Sequence, residues 1–167
     1  DHCNLNCRYC SPPFSGRHHV ARGEILSYEE LTRVARAAVS AGITKIRLTG
    51  GEPLLRPDIF EIATYGTGKG LKMVMAPNGT LITDATARRM VESGIKRISI
   101  SLDGASREKH DRFRGVEGAF DSELQGIEMA KKAGLEFQIN TTLTRTNLAE
   151  IPRIQQLAVE LGAVAHH

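Results

Sequence analysis

The stretch Ala41-Gly42-Ile43-Thr44-Lys45-Ile46-Arg47-Leu48-Thr49-Gly50-Gly51-Glu52-Pro53 holds the fold in miniature. A glycine closes a helix by accepting the left-handed conformation, a short β-rich run follows, and the run ends in a glycine turn with an acid and a proline. The same junction recurs at Lys69-Gly70-Leu71, Ser93-Gly94-Ile95, Ala133-Gly134-Leu135 and Leu161-Gly162-Ala163. Successive glycines lie 28, 24, 40 and 28 residues apart, about one strand plus one helix each. That rhythm predicts repeated βα units and a parallel sheet.

The runs 45–49, 72–76, 97–102 and 136–143 read as strands. Between them, Ser27 and Glu30 form a capping box for a helix with Leu31, Val34, Ala35, Ala38 and Val39 on one face. Asp58 is placed to cap the helix after the glycine turn, and Thr83-Asp84 to start one carrying Ala87, Met90 and Val91. Segments 119–132 and 148–161 are amphipathic, the latter with Pro152 near its start, where proline is tolerated. The wide 40-residue interval predicts an extra charged loop over 106–118, with His110 at the surface and Arg112 and Arg114 read as solvated ahead of the alternative that they grip ligand carboxylates. A closed eight-fold barrel needs about 250 residues. The 167 residues here fit a partial α/β barrel, truncated at both ends, read as one core domain over 1–167.

Working outward to the start, Asp1-His2-Cys3-Asn4-Leu5-Asn6-Cys7-Arg8-Tyr9-Cys10 contains all three cysteines of the chain, spaced C-x3-C-x2-C. A [4Fe–4S] cluster normally takes four cysteines, so three would leave one iron open to a ligand that is not protein. The same thiols also suit a structural zinc site completed by His2, His18 or His19. That second reading describes a zinc-stabilised binding module without catalysis. Polar residues gather at the strand ends, where β/α barrels build their sites: Gly50, Gly51 and Glu52, then Asn78, Ser101, Asp103 and Asn140. Asp103 reads equally as a site group or as a cap for its loop. A net charge of +3 suits an anionic ligand and is too small to argue for nucleic acid. No apolar run reaches membrane-spanning length. Three clustered cysteines are not a disulfide framework, and an oxygen-sensitive cluster needs a reducing compartment, so the protein reads as cytoplasmic.

The cysteine motif, together with Gly50-Gly51-Glu52-Pro53 and Ser101-Leu102-Asp103-Gly104 at successive strand ends, resembles the radical S-adenosylmethionine (SAM) superfamily over the whole chain. The resemblance implies that Cys3, Cys7 and Cys10 ligate a [4Fe–4S] cluster whose fourth iron is chelated by SAM. It places Tyr9 near the adenine, Gly50, Gly51 and Glu52 at the methionine amino group, and Asn78 and Ser101 among the SAM contacts. It further implies an electron donor such as ferredoxin or flavodoxin, and reductive cleavage of SAM to a 5′-deoxyadenosyl radical that abstracts hydrogen from a small-molecule substrate.

Two subfamilies compete for that substrate. Residues 24–31 and Arg47-Leu48-Thr49-Gly50-Gly51-Glu52-Pro53-Leu54-Leu55-Arg56 look like the GTP cyclase of molybdenum-cofactor biosynthesis. Met73-Val74-Met75-Ala76-Pro77-Asn78-Gly79-Thr80, Ser99-Ile100-Ser101-Leu102-Asp103-Gly104-Ala105, His110-Asp111-Arg112-Phe113-Arg114-Gly115 and Phe137-Gln138-Ile139-Asn140-Thr141-Thr142 resemble radical SAM enzymes of alternative haem and d1-type haem biosynthesis. The cyclases have a threonine where this chain has Pro77 and a lysine near Gln138, both used for GTP, whereas Arg47 matches a third GTP-binding position. The balance favours a tetrapyrrole substrate, then a nucleotide, with a peptide-modifying enzyme as a third reading.

Overall fold

The computed structural model describes residues 2–7, 9–10 and 25–167. Four parallel strands, β1 (Lys45–Leu48), β2 (Lys72–Met75), β3 (Arg97–Ser101) and β4 (Glu136–Asn140), lie side by side in sequence order. The helices are α1 (Tyr28–Ser40), α2 (Ile59–Gly68), α3 (Asp84–Glu92), α4 (Arg107–Arg114), α5 (Ala119–Lys132) and α6 (Ile151–Leu161). Beyond β4, Val164 donates to Phe137 and His167 to Ile139, each at 2.9 Å, so residues 164–167 continue the sheet in the parallel sense.

Pairing of Leu48 with Met75, Met75 with Ile98, and Ile98 with Phe137 puts these side chains on one face, with Ile100 and Ile139. This face meets Ala63 of α2, Ala87 and Met90 of α3, Ile127 and Ala130 of α5, and Ile154 and Ala158 of α6 in one core. The opposite face carries Arg47, Val74, Ser99, Ser101, Gln138 and Asn140 by the same register. Small β/α barrels fill their interior with branched apolar side chains. A polar inner face is instead what a barrel needs to admit a polar ligand.

Four local expectations are corrected. The segment 106–118 is not a loop: it contains α4, closed by Gly115 at φ 71°. Asp58 stands at the start of α2 but caps nothing, because Arg56 takes its carboxylate at 2.6 Å. On α1 the capping box is present, yet Val34 is 53% exposed and Val39 is also exposed, while Thr32 and Ala35 are buried. The burial stripe of α1 is therefore narrower than its apolar pattern. Residues 148–161 are a 3-10 turn (Leu148–Glu150) running into α6, with Pro152 in its first turn.

Candidate functional site

The N-terminal loop is stitched to three consecutive strand ends. At the end of β1, the Glu52 amide donates to the His2 carbonyl at 2.7 Å. At the end of β2, the Asn78 side chain donates to Asn4 Oδ1 and Asn4 donates to Thr80 Oγ1, both at 2.8 Å. Beyond β3, the Asn6 amide donates to the Arg114 carbonyl at 3.1 Å, and the Tyr9 and Phe113 rings lie 4.9 Å apart. Leu5 is the buried apolar peg of the loop. Two glycines permit this docking. A methyl group on Gly51 would run into the His2 carbonyl, and one on Gly115 into that of Asn6. Cys3, Cys7 and Cys10 are thus carried at the C-terminal edge of the sheet, partly exposed and free of disulfides.

The turn after β1 is organised by Glu52. It is 3% exposed, accepting from the Leu54 amide at 3.0 Å and the Asn78 amide at 2.6 Å. One carboxylate therefore caps the 3-10 turn (Pro53–Leu55) and ties the ends of β1 and β2 together. Burial pushes its carboxyl up to about 7, against the two amide donors. Beside this turn opens a cleft of about 410 Å³ lined by His2, Thr49, Gly50, Gly51, Glu52 and Arg56, among others.

At the end of β3 the construction changes. Arg114, 3% exposed, sends Nη1 to the Tyr9 hydroxyl at 3.0 Å and towards Cys7 Sγ at 3.6 Å. Its Nη2 donates to the Ser101 carbonyl and pairs with Asp103 Oδ2 at 2.8 Å. Asp103 also accepts from the Thr142 amide at 2.7 Å, locking the end of β3 to the segment after β4. The Asp103 amide donates to His110 Nδ1 at 3.3 Å, which leaves the His110 proton on Nε2, 3.2 Å from Glu123. His110 and Glu123 are wholly buried. Burial raises the pKa of both Asp103 and Glu123. Arg114 stays charged: burial opposes the cation, but Asp103 and then Glu123 outweigh it and raise its pKa. Asp111 accepts from the Gly118 and Phe120 amides at 2.7 and 2.8 Å, so α4 also holds the first turn of α5.

The structure therefore brings together Cys3, Cys7, Cys10, Tyr9, Gly50, Gly51, Glu52, Asn78 and Ser101 around the loop and the strand ends that hold it. Arg114 and His110, expected in solvent, are corrected to buried parts of the same assembly. Asp103 is a buried ion-pair partner rather than a loop cap. Arg47 and Gln138 lie on the polar face of the sheet. His18 and His19 lie outside the described residues. Sequence reasoning missed Asn4, Glu123 and the inward turn of Arg114. The four-residue spacing of His110 and Arg114, followed by Gly115, was the available signal of a helix face.

Do the residues fit an iron–sulfur cluster? Among the described residues, no group of three or more Cys, His, Asp or Glu side chains is placed to hold a metal ion. The donor set is three soft thiols on one loop, with a guanidinium against one sulfur. Fe–S clusters are held by cysteine thiolates, and N–H···S contacts are part of their usual surroundings. Those residues fit the group.

Comparison with known proteins gives a matching identity. The family model described as the radical SAM superfamily matches residues 1–158. The chain is 48% identical over 165 residues to the AdoMet-dependent heme synthase of Methanosarcina barkeri, covering 99% of this chain and 46% of that protein. It is 40% identical over 166 residues to the GTP 3′,8-cyclase of Geobacter sulfurreducens, covering 96% and 49% respectively. The chain thus spans about half the length of the curated relatives it matches. In fold it superposes on Streptococcus suis SuiB bound to S-adenosylmethionine with a TM-score of 0.82 at 19% identity, over 99% of this chain and 37% of SuiB. The family is one of enzymes that use a [4Fe–4S] cluster and SAM, and it replaces the reading of a non-catalytic zinc module. Cysteine loop, glycine turn and parallel sheet agree with the family match: this chain belongs to the radical SAM superfamily.

Proposed function

We propose that the chain is the cluster- and SAM-binding core domain of an enzyme that modifies side chains of a sirohaem-derived tetrapyrrole during haem formation. The observation that carries the substrate is the 48% identity to an AdoMet-dependent heme synthase, over 99% of the chain. Cys3, Cys7 and Cys10 hold the cluster by their thiolates. Bound there, the cluster and SAM supply one-electron chemistry, reductive cleavage of SAM to a 5′-deoxyadenosyl radical. The chain's own residues do the rest. The Gly50-Gly51-Glu52 turn receives the amino end of SAM, chiefly through its backbone, since both Glu52 oxygens already accept amide protons. Its carboxyl group fixes that backbone from behind by accepting from the Leu54 and Asn78 amides. Tyr9 offers a ring near the adenine, held by Arg114 through its hydroxyl. Asn78 and Ser101 complete the SAM contacts, and the polar sheet face with Arg47, Ser99 and Gln138 meets the substrate. A small cytoplasmic electron carrier such as ferredoxin or flavodoxin supplies the electron. No helix among the described residues is long and apolar enough to cross a membrane.

A second reading, cyclisation of GTP, is favoured by one observation, the cyclase-matching Arg47 on the polar face, together with 40% identity to such an enzyme. Anaerobic incubation of the full-length protein with SAM, dithionite and each substrate class separates the two. Tetrapyrrole-dependent formation of 5′-deoxyadenosine with side-chain loss supports the first reading. Formation that depends on GTP alone overturns it.

A further inference from the structure

We infer that Arg114 is a positioning residue that sets the reduction potential of the cluster through its contact with the Cys7 sulfur. The inference rests on the proposed ligation of the cluster by Cys3, Cys7 and Cys10. Within α4, a helix whose sequence is almost entirely polar, Arg114 is the cation that turns inward. Its two terminal nitrogens divide their work. Nη2 serves β3, on the Ser101 carbonyl and 2.8 Å from Asp103. Nη1 serves the cysteine loop, on Tyr9 at 3.0 Å and 3.6 Å from Cys7 Sγ.

That division matters for the field at the sulfur. The counter-anion Asp103 sits on the Nη2 side, and the N–H groups of Nη1 face the thiolate. Reduction adds one negative charge to a thiolate-bound cluster, and N–H donors to sulfur favour the more negative state. A desolvated guanidinium strengthens that preference, because little water screens it. The position is also over-determined. Gly115 closes the helix against Asn6, the Asn6 amide binds the Arg114 carbonyl, and behind the ion pair Asp103 meets His110, which meets Glu123. A residue needed only to fasten α4 to β3 would require the Ser101 and Asp103 contacts and not the fork towards Cys7.

The test uses the full chain reconstituted anaerobically with iron and sulfide, and an EPR-monitored redox titration without SAM. Arg114→Gln removes the cation, and Arg114→Lys keeps the charge on a single point that cannot serve Asp103 and Cys7 together. At a fixed solution potential, Arg114→Gln is expected to show about a tenfold lower ratio of reduced to oxidised cluster, a fall of about 59 mV for one electron. Arg114→Lys is expected between it and the wild type. Variants that load iron and titrate at the wild-type potential overturn the inference. If Arg114→Gln loads no iron, Arg114→Lys decides: a lowered potential supports the inference and an unchanged one overturns it. A wild-type chain that takes up no iron would instead overturn the ligation on which the inference rests, so the two failures are distinct.

Discussion

The turn after β1 and the end of β3 both grip the cysteine loop, by opposite means. The first is made of backbone: the Glu52 amide on the His2 carbonyl, and a carboxylate spent on two amides. The second is made of buried polar side chains, the Arg114–Asp103 ion pair backed by His110 and Glu123. A backbone clamp needs particular small residues at fixed places, so it leaves a readable motif. A buried polar network can draw its members from distant segments and leaves only scattered polar letters. The two should also fail differently, the first locally and at the ligand, the second through the stability of the whole domain.

The largest expected effect comes from breaking the charged side. Asp103→Ala leaves the Arg114 guanidinium buried without its anion and is expected to cost about 3–5 kcal/mol in chemical denaturation. On the backbone side, Gly51→Ala forces the turn off the His2 carbonyl, with an expected cost of about 1–3 kcal/mol. Its sharper signature is weaker iron uptake in reconstitution, because the cysteine loop loses its first stitch. Glu52→Gln puts an amide donor against a backbone donor and is expected to cost about 1–2 kcal/mol and to weaken SAM binding by calorimetry. This penalty depends on pH. The folded carboxyl titrates at about 7 against an ordinary 4.5, so between those values the folded state holds the extra proton. Wild-type stability therefore falls relative to Glu52→Gln as pH rises from about 4.5 to about 7, and the penalty narrows across that window. Smallest is Ser27→Ala, which removes the α1 cap and belongs to neither clamp. About 1 kcal/mol of stability is expected to go, with iron content unchanged. If Ser27→Ala lowered iron content as Gly51→Ala does, the contrast between the clamps and a helix cap outside them would not hold.

How much of this was legible beforehand follows from the same contrast. Glycine-closed helices and β runs placed all four strands, since the 3.6 and 2 periodicities and the helix-ending glycines are local properties. The cysteine spacing and the Gly-Gly-Glu turn marked the site. Helix α4 was hidden because its inward face is His110, Asp111 and Arg114, which a polarity reading assigns to water. Only tertiary partners turn such residues inward, and Glu123 and Asp103 come from other segments. Asp58 was misjudged for a similar reason: a capping residue is a good bet until a neighbouring arginine outcompetes the helix for its carboxylate. On α1, apolar spacing promised a wide buried stripe. Burial, however, is decided by what packs against the helix, and Val34 has no cover among the described residues.

On the proposed ligation, the three cysteines hold a four-iron cluster with one iron open to SAM. The most direct measurement is EPR of the anaerobically reconstituted, dithionite-reduced protein before and after SAM is added. The expected result is an iron- and sulfide-loaded chain whose reduced signal changes on SAM binding, and loss of the loaded iron when any one of Cys3, Cys7 or Cys10 is replaced by alanine. A chain that takes up no iron, or a loaded cluster whose signal is indifferent to SAM, would contradict it.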